Sequence, residues 1–242
     1  QPAGNVADTF KNITDIFHTS PSVFFSFLNS IADHLPKEQS DYFNRWQKED
    51  TKTSQLLQDF FRQQPPGEFR MVKDVLENLP AGCNLHLANS MSVRYANFIG
   101  LKSSQKGIRV FSNRGTSGID GCTSTSVGHC LSSGRPTFLI TGDLAFFYDR
   151  NAFWHNYPLP DLRILLLNNH GGLIFNMIDG PASQPEGQEY FITRQALNAK
   201  KLCEEFGFDY LKADDSKTAT QLNRFLEFPG KTTILELETE GE

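Results

Sequence analysis

The sequence predicts an α/β fold: a doubly wound, six-stranded, mainly parallel sheet with helices on both faces, preceded by a helical linker segment. Three observations carry this reading. Six short apolar runs recur between residues 84 and 238, separated by stretches whose apolar residues have helical spacing. One of these runs, LRILLLN at 162–168, is almost continuously apolar, as expected of a strand covered on both faces. The first eighty residues carry no such run and read as helices instead.

Taken in order, Ser20-Pro21 opens an apolar helical stretch, SVFFSFLNSIADHL, which Pro36 stops. From Lys37 to Gln63 the chain is long and polar. Tyr42, Trp46, Leu56, Leu57, Phe60 and Phe61 mark a narrow apolar stripe along it, and Gln64-Pro65-Pro66-Gly67 breaks it. A third helix is expected from Phe69 to Asn78, ending at Leu79-Pro80. The strands follow as NLHLA (84–88), GIRVFS (107–112), PTFLIT (136–141), LRILLLN (162–168), FDYLKA (208–213) and TTILELE (232–238). Helices are expected from near Ser90, after Asp120, over Gln195 to Phe206, and after Ser216 as an N-cap. Residues 1–65 therefore read as a lead-in and 66–242 as the α/β domain.

Bulk properties narrow the function classes. With 242 residues, 38% hydrophobic and 21% charged, the chain is long enough for one large domain. No run approaches the ~20 apolar residues of a membrane helix, and no signal pattern opens the chain. A net charge of −5 argues against a nucleic-acid binder. Cys83, Cys122, Cys130 and Cys203 have no CxxC spacing and read as reduced thiols of a cytoplasmic protein. Because the chain begins at Gln1, either a leader was removed or this is a piece of a longer polypeptide. The triplet Asn12-Ile13-Thr14 matches a glycosylation sequon that a cytoplasmic protein would leave unused.

In an open parallel sheet, ligands bind outside the carboxyl ends of the strands. After PTFLIT come Gly142, Asp143 and Leu144; after LRILLL come Asn168, Asn169, His170, Gly171 and Gly172. A carboxylate, an amide oxygen and a glycine carbonyl form an all-oxygen set suited to Mg²⁺ or Ca²⁺, the remaining positions going to phosphate and water. Gly171 and Gly172 would let the backbone approach a phosphate closely. The bland reading stands beside it: an Asp after a strand often only caps a helix, and Asn-Asn-x-Gly-Gly is often only a turn.

A Gly-Asp pair followed one crossover later by Asn-Asn resembles the cofactor-binding motif of the thiamine diphosphate (ThDP) enzymes. Leu144 stands where most of that superfamily has glycine. The pieces GDLAFFYDRNAF and NNHGGLIF, with LHLANSMSVR (85–94) and SNRGTSGIDG (112–121), resemble the menaquinone-pathway synthase family, MenD. The last of these is the most specific.

The resemblance implies that Asp143, Asn169 and the Gly171 carbonyl hold Mg²⁺ (or Mn²⁺), which clamps the ThDP diphosphate. It implies cofactor contacts from Ser112, Ile119, Gly142, Leu144, Ile174 and Phe175. It further implies substrate contacts from Ser90, Arg94 and Arg114, arginine being suited to carboxylates. The reaction implied is a carboligase transfer: 2-oxoglutarate is decarboxylated and the resulting carbanion adds to isochorismate. Residues 1–65 would be the tail of a middle domain and a linker, and 66–242 the diphosphate-binding domain. The pyrimidine-binding domain that supplies the activating glutamate has no counterpart here. The chain alone is therefore expected to be inactive, the whole protein a homodimer or homotetramer, with no nucleic acid or membrane as partner.

Other readings stay open. Ile and Phe are more often core than cofactor bed, and either arginine could be a surface ion pair. His170 could approach the cofactor; His129 reads as structural, His86 lies in a strand, and Asp120 reads as a helix cap. The segment Thr193-Arg194-Gln195 lacks the proline and histidine of the family pattern. Rival functions are another ThDP-dependent 2-oxo acid decarboxylase or acetohydroxyacid-type synthase, and a noncatalytic α/β binding domain. A dinucleotide fold ranks low without GxGxxG.

Overall fold

A computed structural model describes residues 2–34, 41–63, 65–213, 218–228 and 230–239. By internal packing the chain divides into two units, Gln1–Phe60 and Phe61–Glu242.

The first unit holds α1 (Pro21–Ile31), a short 3-10 turn (Ala32–His34) and most of α2 (Asp41–Gln63). Ser20 caps α1, its hydroxyl accepting from the Val23 amide at 3.3 Å, and Pro21 fills the first turn, where a missing N–H costs nothing. The expected stops at Pro36 and Gln64, and the start at Lys37, lie outside the described residues. Both helices keep large apolar side chains in the open, among them Phe25, Phe27, Tyr42, Phe43 and Trp46.

The second unit is the α/β domain. Its strands are β1 (Asn84–Leu87), β2 (Arg109–Ser112), β3 (Thr137–Gly142), β4 (Leu162–Asn168), β5 (Asp209–Ala213) and β6 (Thr233–Glu238). They pair in the order β2-β1-β3-β4-β6-β5, every pair parallel. Helices α3 (Glu68–Glu77), α4 (Met91–Ile99) and α8 (Thr218–Leu226) cover one face. The other face packs against α5 (Cys122–Ser133), α6 (Asp143–Tyr148) and α7 (Lys200–Phe206). The period-2 alternation of β4 divides accordingly: Leu165 and Leu167 join the first layer, Ile164 and Leu166 the second. The expected cap Ser216 lies outside the described residues.

Two local expectations fail. The helix expected over 195–206 starts at Lys200, because the preceding residues are spent on side-chain bonds. Gln195 accepts from the Leu197 amide, and buried Glu236 takes the Ala199 amide at 3.1 Å. The apolar run LRILLLN also hides a charge: Arg163 is fully buried in β4. Its guanidinium donates to the carbonyls of Glu227 (2.6 and 2.9 Å), Lys231 (2.9 Å), Pro160 (3.0 Å) and Leu162 (2.8 Å), and lies 4.4 Å from the Phe228 ring centre. It ties the α8–β6 loop to the amino end of the sheet, opposite the carboxyl ends of the strands.

From β1 the chain steps outward to β2 and then crosses back past β1 to β3, so the winding direction reverses between β1 and β3. The crevice of a doubly wound sheet therefore opens past Leu87 and Gly142. Small buried side chains, Ala88, Cys122 and Ala145, pack at that mouth.

Candidate functional site

The β3–β4 register pairs Gly142 with Leu167, so Asp143 and Asn168-Asn169 leave adjacent strand ends. Asp143 is 3% exposed and opens α6. Its carboxylate accepts from Gln195 Nε2 at 2.7 Å. Burial raises its pKa above the ordinary carboxylate range; the bond from Gln195, that from the Leu144 amide and the nearby His170 only partly offset this. A buried carboxylate whose hydrogen-bond partners are neutral is a site where a cation would be stabilising.

The two asparagines differ. Asn168 is committed: its Nδ2 donates to Glu236 Oε1 at 2.7 Å and the Leu197 carbonyl at 2.9 Å, while its Oδ1 accepts from Gln195 Nε2 at 2.9 Å. Asn169 donates to Glu68 Oε1 at 2.9 Å, and Glu68 also accepts from the Tyr95 hydroxyl at 3.1 Å. Asn169 Oδ1 is buried with no hydrogen-bond partner among the described residues. A buried oxygen left over in this way costs free energy unless something not present here takes it. An amide oxygen and a buried carboxylate leaving adjacent strand ends are the donor types that a hard divalent cation takes. Among the described residues no cluster of three His, Cys, Asp or Glu side chains could hold a metal, so a cation here would depend on amide and carbonyl oxygens as well.

His170 follows in left-handed backbone (φ 61°), its Nε2 3.1 Å from Glu238 Oε1. Gly171 and Gly172 have a reason the sequence did not suggest. A Cβ on either would meet the Ile192 or Phe191 carbonyl at 2.9 Å. They make room for the returning chain, which bonds back through Gly172 N to Ile192 O (2.7 Å) and Gln195 N to His170 O (3.2 Å). Between these points run short helical turns at Leu173–Met177, Pro181–Ser183 and Gly187–Ile192. Ile174 and Phe175 are half-buried there, Phe175 lying 5.5 Å from the Phe191 ring. Gly142 and Leu144, flanking Asp143, are also half-buried.

A second cluster gathers past β1. Buried Asn89 donates to the carbonyls of Asn113 (2.7 Å) and Gly118, and accepts from Arg114 Nη1 at 3.3 Å. Ser112 donates to the Leu87 carbonyl at 2.8 Å. Ser90 has φ 76°, and exposed Arg94 donates to its carbonyl at 2.8 Å. Asn89 thus shapes the SNRGTSGIDG loop, a role the sequence reading left to its neighbours. Ile119 in that loop is 37% exposed. Asp120 does not cap α5, whose N-cap is Gly121 without a side-chain bond; Asp149 instead accepts from the Ser124 amide and hydroxyl, both at 2.6 Å. His129 is bonded to buried His86 at 2.9 Å. The four cysteines are free and buried.

The sequence reading missed Gln195 and Glu68. Gln195 sat inside a presumed helix, and Glu68 bonds to Asn169 from far away in sequence.

Comparison with known proteins sets relatives beside this geometry. No protein-family model matches the chain. It is 44% identical over 242 residues to the 2-succinyl-5-enolpyruvyl-6-hydroxy-3-cyclohexene-1-carboxylate synthase of Cytophaga hutchinsonii, a match covering 99% of this chain and 42% of that protein. Synthases of the same name from Flavobacterium psychrophilum and Bacteroides fragilis are 39% and 37% identical, over 96% and 89% of the chain and 41% and 37% of those proteins. The chain spans about two fifths of the length of these curated relatives.

Proposed function

Because the chain belongs to the family of 2-succinyl-5-enolpyruvyl-6-hydroxy-3-cyclohexene-1-carboxylate synthases, we propose that it forms the diphosphate-binding part of such an enzyme. On this reading residues 66–242 are the ThDP diphosphate-binding domain, and residues 1–65 are the tail of a middle domain with its linker. The whole enzyme is a ThDP- and Mg²⁺-dependent transferase of menaquinone biosynthesis that takes 2-oxoglutarate and isochorismate. The observation that carries the reading is the buried Asp143 carboxylate at the end of β3 and, at the end of the neighbouring strand, the buried Asn169 Oδ1, an oxygen with no hydrogen-bond partner among the described residues.

Asp143, Asn169 and the Gly171 carbonyl would hold the cation, and Gly142 and Leu144 would flank the diphosphate. Bound ThDP supplies the electron sink that decarboxylation of a 2-oxo acid requires. The chain's own residues bind and orient. Arg94 and Arg114 offer guanidinium forks to the substrate carboxylates, with Ser90 beside them, and Ser112 contacts the cofactor. Ile119, Ile174 and Phe175 give the cofactor an apolar surface, which strengthens the polar contacts around it. A site of this kind lacks its pyrimidine-binding half, so this chain alone does not turn over.

The test uses the complete protein with ThDP, Mg²⁺, 2-oxoglutarate and isochorismate. Adduct formation that needs both substrates, and is lost in Asp143→Ala, supports the reading. Decarboxylation without adduct would move the protein to another branch of the ThDP enzymes.

A further inference from the structure

We propose that Gln195 is a positioning residue for the cation site, the half-buried near end of a relay running from buried Glu236 through Asn168 and Gln195 to Asp143. The inference rests on the reading of Asp143 as a cation ligand. It goes beyond that reading by assigning a role to three side chains that need not touch the ion.

The hydrogen-bond pattern fixes the orientation of every group in the relay. Glu236 is completely buried and held by three donors: Asn168 Nδ2 at 2.7 Å, the Tyr210 hydroxyl at 2.7 Å and the Ala199 amide at 3.1 Å. A carboxylate can only accept, so Asn168 must turn its amide nitrogen toward it. Asn168 Oδ1 then faces the other way, where the His170 amide (3.3 Å) and Gln195 Nε2 (2.9 Å) donate to it. Gln195 Nε2 has two hydrogens. One goes to Asn168 Oδ1 and the other to Asp143 Oδ2 at 2.7 Å, while Oε1 takes the Leu197 amide. Reversing any one amide would face acceptor to acceptor at the next step.

The consequence reaches the ligand. A carboxylate free to rotate about its Cβ–Cγ bond loses that freedom when it binds an ion, whereas Asp143 is already held. Partners behind a metal ligand typically contribute about 10- to 100-fold in metal affinity. Gln195 also neutralises nothing, so the negative charge of Asp143 stays available to a cation.

The experiment is a titration of the complete protein with Mn²⁺ in the presence of ThDP, following free Mn²⁺ by electron paramagnetic resonance. Wild type, Asp143→Ala, Gln195→Leu, Gln195→Glu and Glu236→Gln are compared, each with its melting temperature. Expected results are tight binding by wild type, none by D143A, and about 10- to 100-fold weaker binding by Q195L. E236Q, which removes the charge that orients Asn168, weakens binding in the same direction without touching the site. Q195E puts a second carboxylate against Asp143, so it melts lower than wild type without cation and gains more on adding Mn²⁺.

If Q195L and Q195E melt lower yet bind Mn²⁺ with wild-type affinity, Gln195 is merely structural and the proposal fails while the cation reading stands. Normal affinity in E236Q alongside weak binding in Q195L overturns the relay. Failure of wild type to bind Mn²⁺, or indifference to D143A, overturns both readings together.

Discussion

Asp143 concentrates the competing demands at this site. Its burial destabilises the ionised carboxylate, so without cation the native state carries a cost that an isosteric amide would not. Asp143→Asn is therefore expected to raise the melting temperature by a few degrees at neutral pH without divalent cation, and to erase any cation-induced gain. Thermal melts with and without Mg²⁺ check this; a lower melting temperature in D143N without cation would contradict it. His86 predicts a pH dependence. Burial, with His129 beside it, holds His86 down to about 4, against 6.5 for a free imidazole. Between those values the unfolded chain binds a proton that the native state does not, so stability is lost as the pH falls from about 6.5 toward about 4. Replacing His86 by Leu should flatten that loss by up to ~1.4 kcal/mol per pH unit, read from urea midpoints at pH 7 and pH 5. The placement of Asp143 and Asn169 at neighbouring strand ends was legible because each follows an apolar run. Gln195 and Asn89 were not, since their importance lies in what they reach across the sheet.

Elements were legible from their apolar runs, even in β2, where burial is only partial. All six strands announce themselves as apolar runs; β4 keeps its expected bounds and no end of the others shifts by more than two residues. Arg163 escaped because one charge inside LRILLLN does not break the pattern, yet its five bonds to backbone carbonyls close one end of the sheet. Arg163→Met is expected to cost on the order of 4 kcal/mol, since it leaves buried carbonyls without donors. Chemical denaturation measures it, and a loss under ~1 kcal/mol would mean that water replaces the guanidinium. The glycine pair makes a second case. Sequence alone suggested room for a phosphate; the structure supplies the Ile192 and Phe191 carbonyls as what they accommodate. Gly171→Ala should cost about 1–3 kcal/mol by overpacking and speed protease cleavage between residues 173 and 191.

For the molecule as a whole, the division at Phe60–Phe61 separates a unit with an exposed aromatic surface from one with a continuous core on both sheet faces. A chain beginning at residue 61 is expected to fold and melt cooperatively, because the α/β core lies beyond that point. Circular dichroism showing a broad, non-cooperative transition would count against it. The doubly wound architecture was readable from periodicity. The strand order was not, because nothing local records which strands become neighbours.

The segment from 173 to 191 leaves the sheet and returns to the same turn, its base closed by the backbone bonds Gly172 to Ile192 and His170 to Gln195 and by the Gln195 side chain. Such an excursion behaves as a cassette. Closure is settled at its base, and a doubling of its length adds only about 0.6 kcal/mol of chain entropy. Its side chains can therefore be exchanged for those of another family member while the turn beneath keeps its shape.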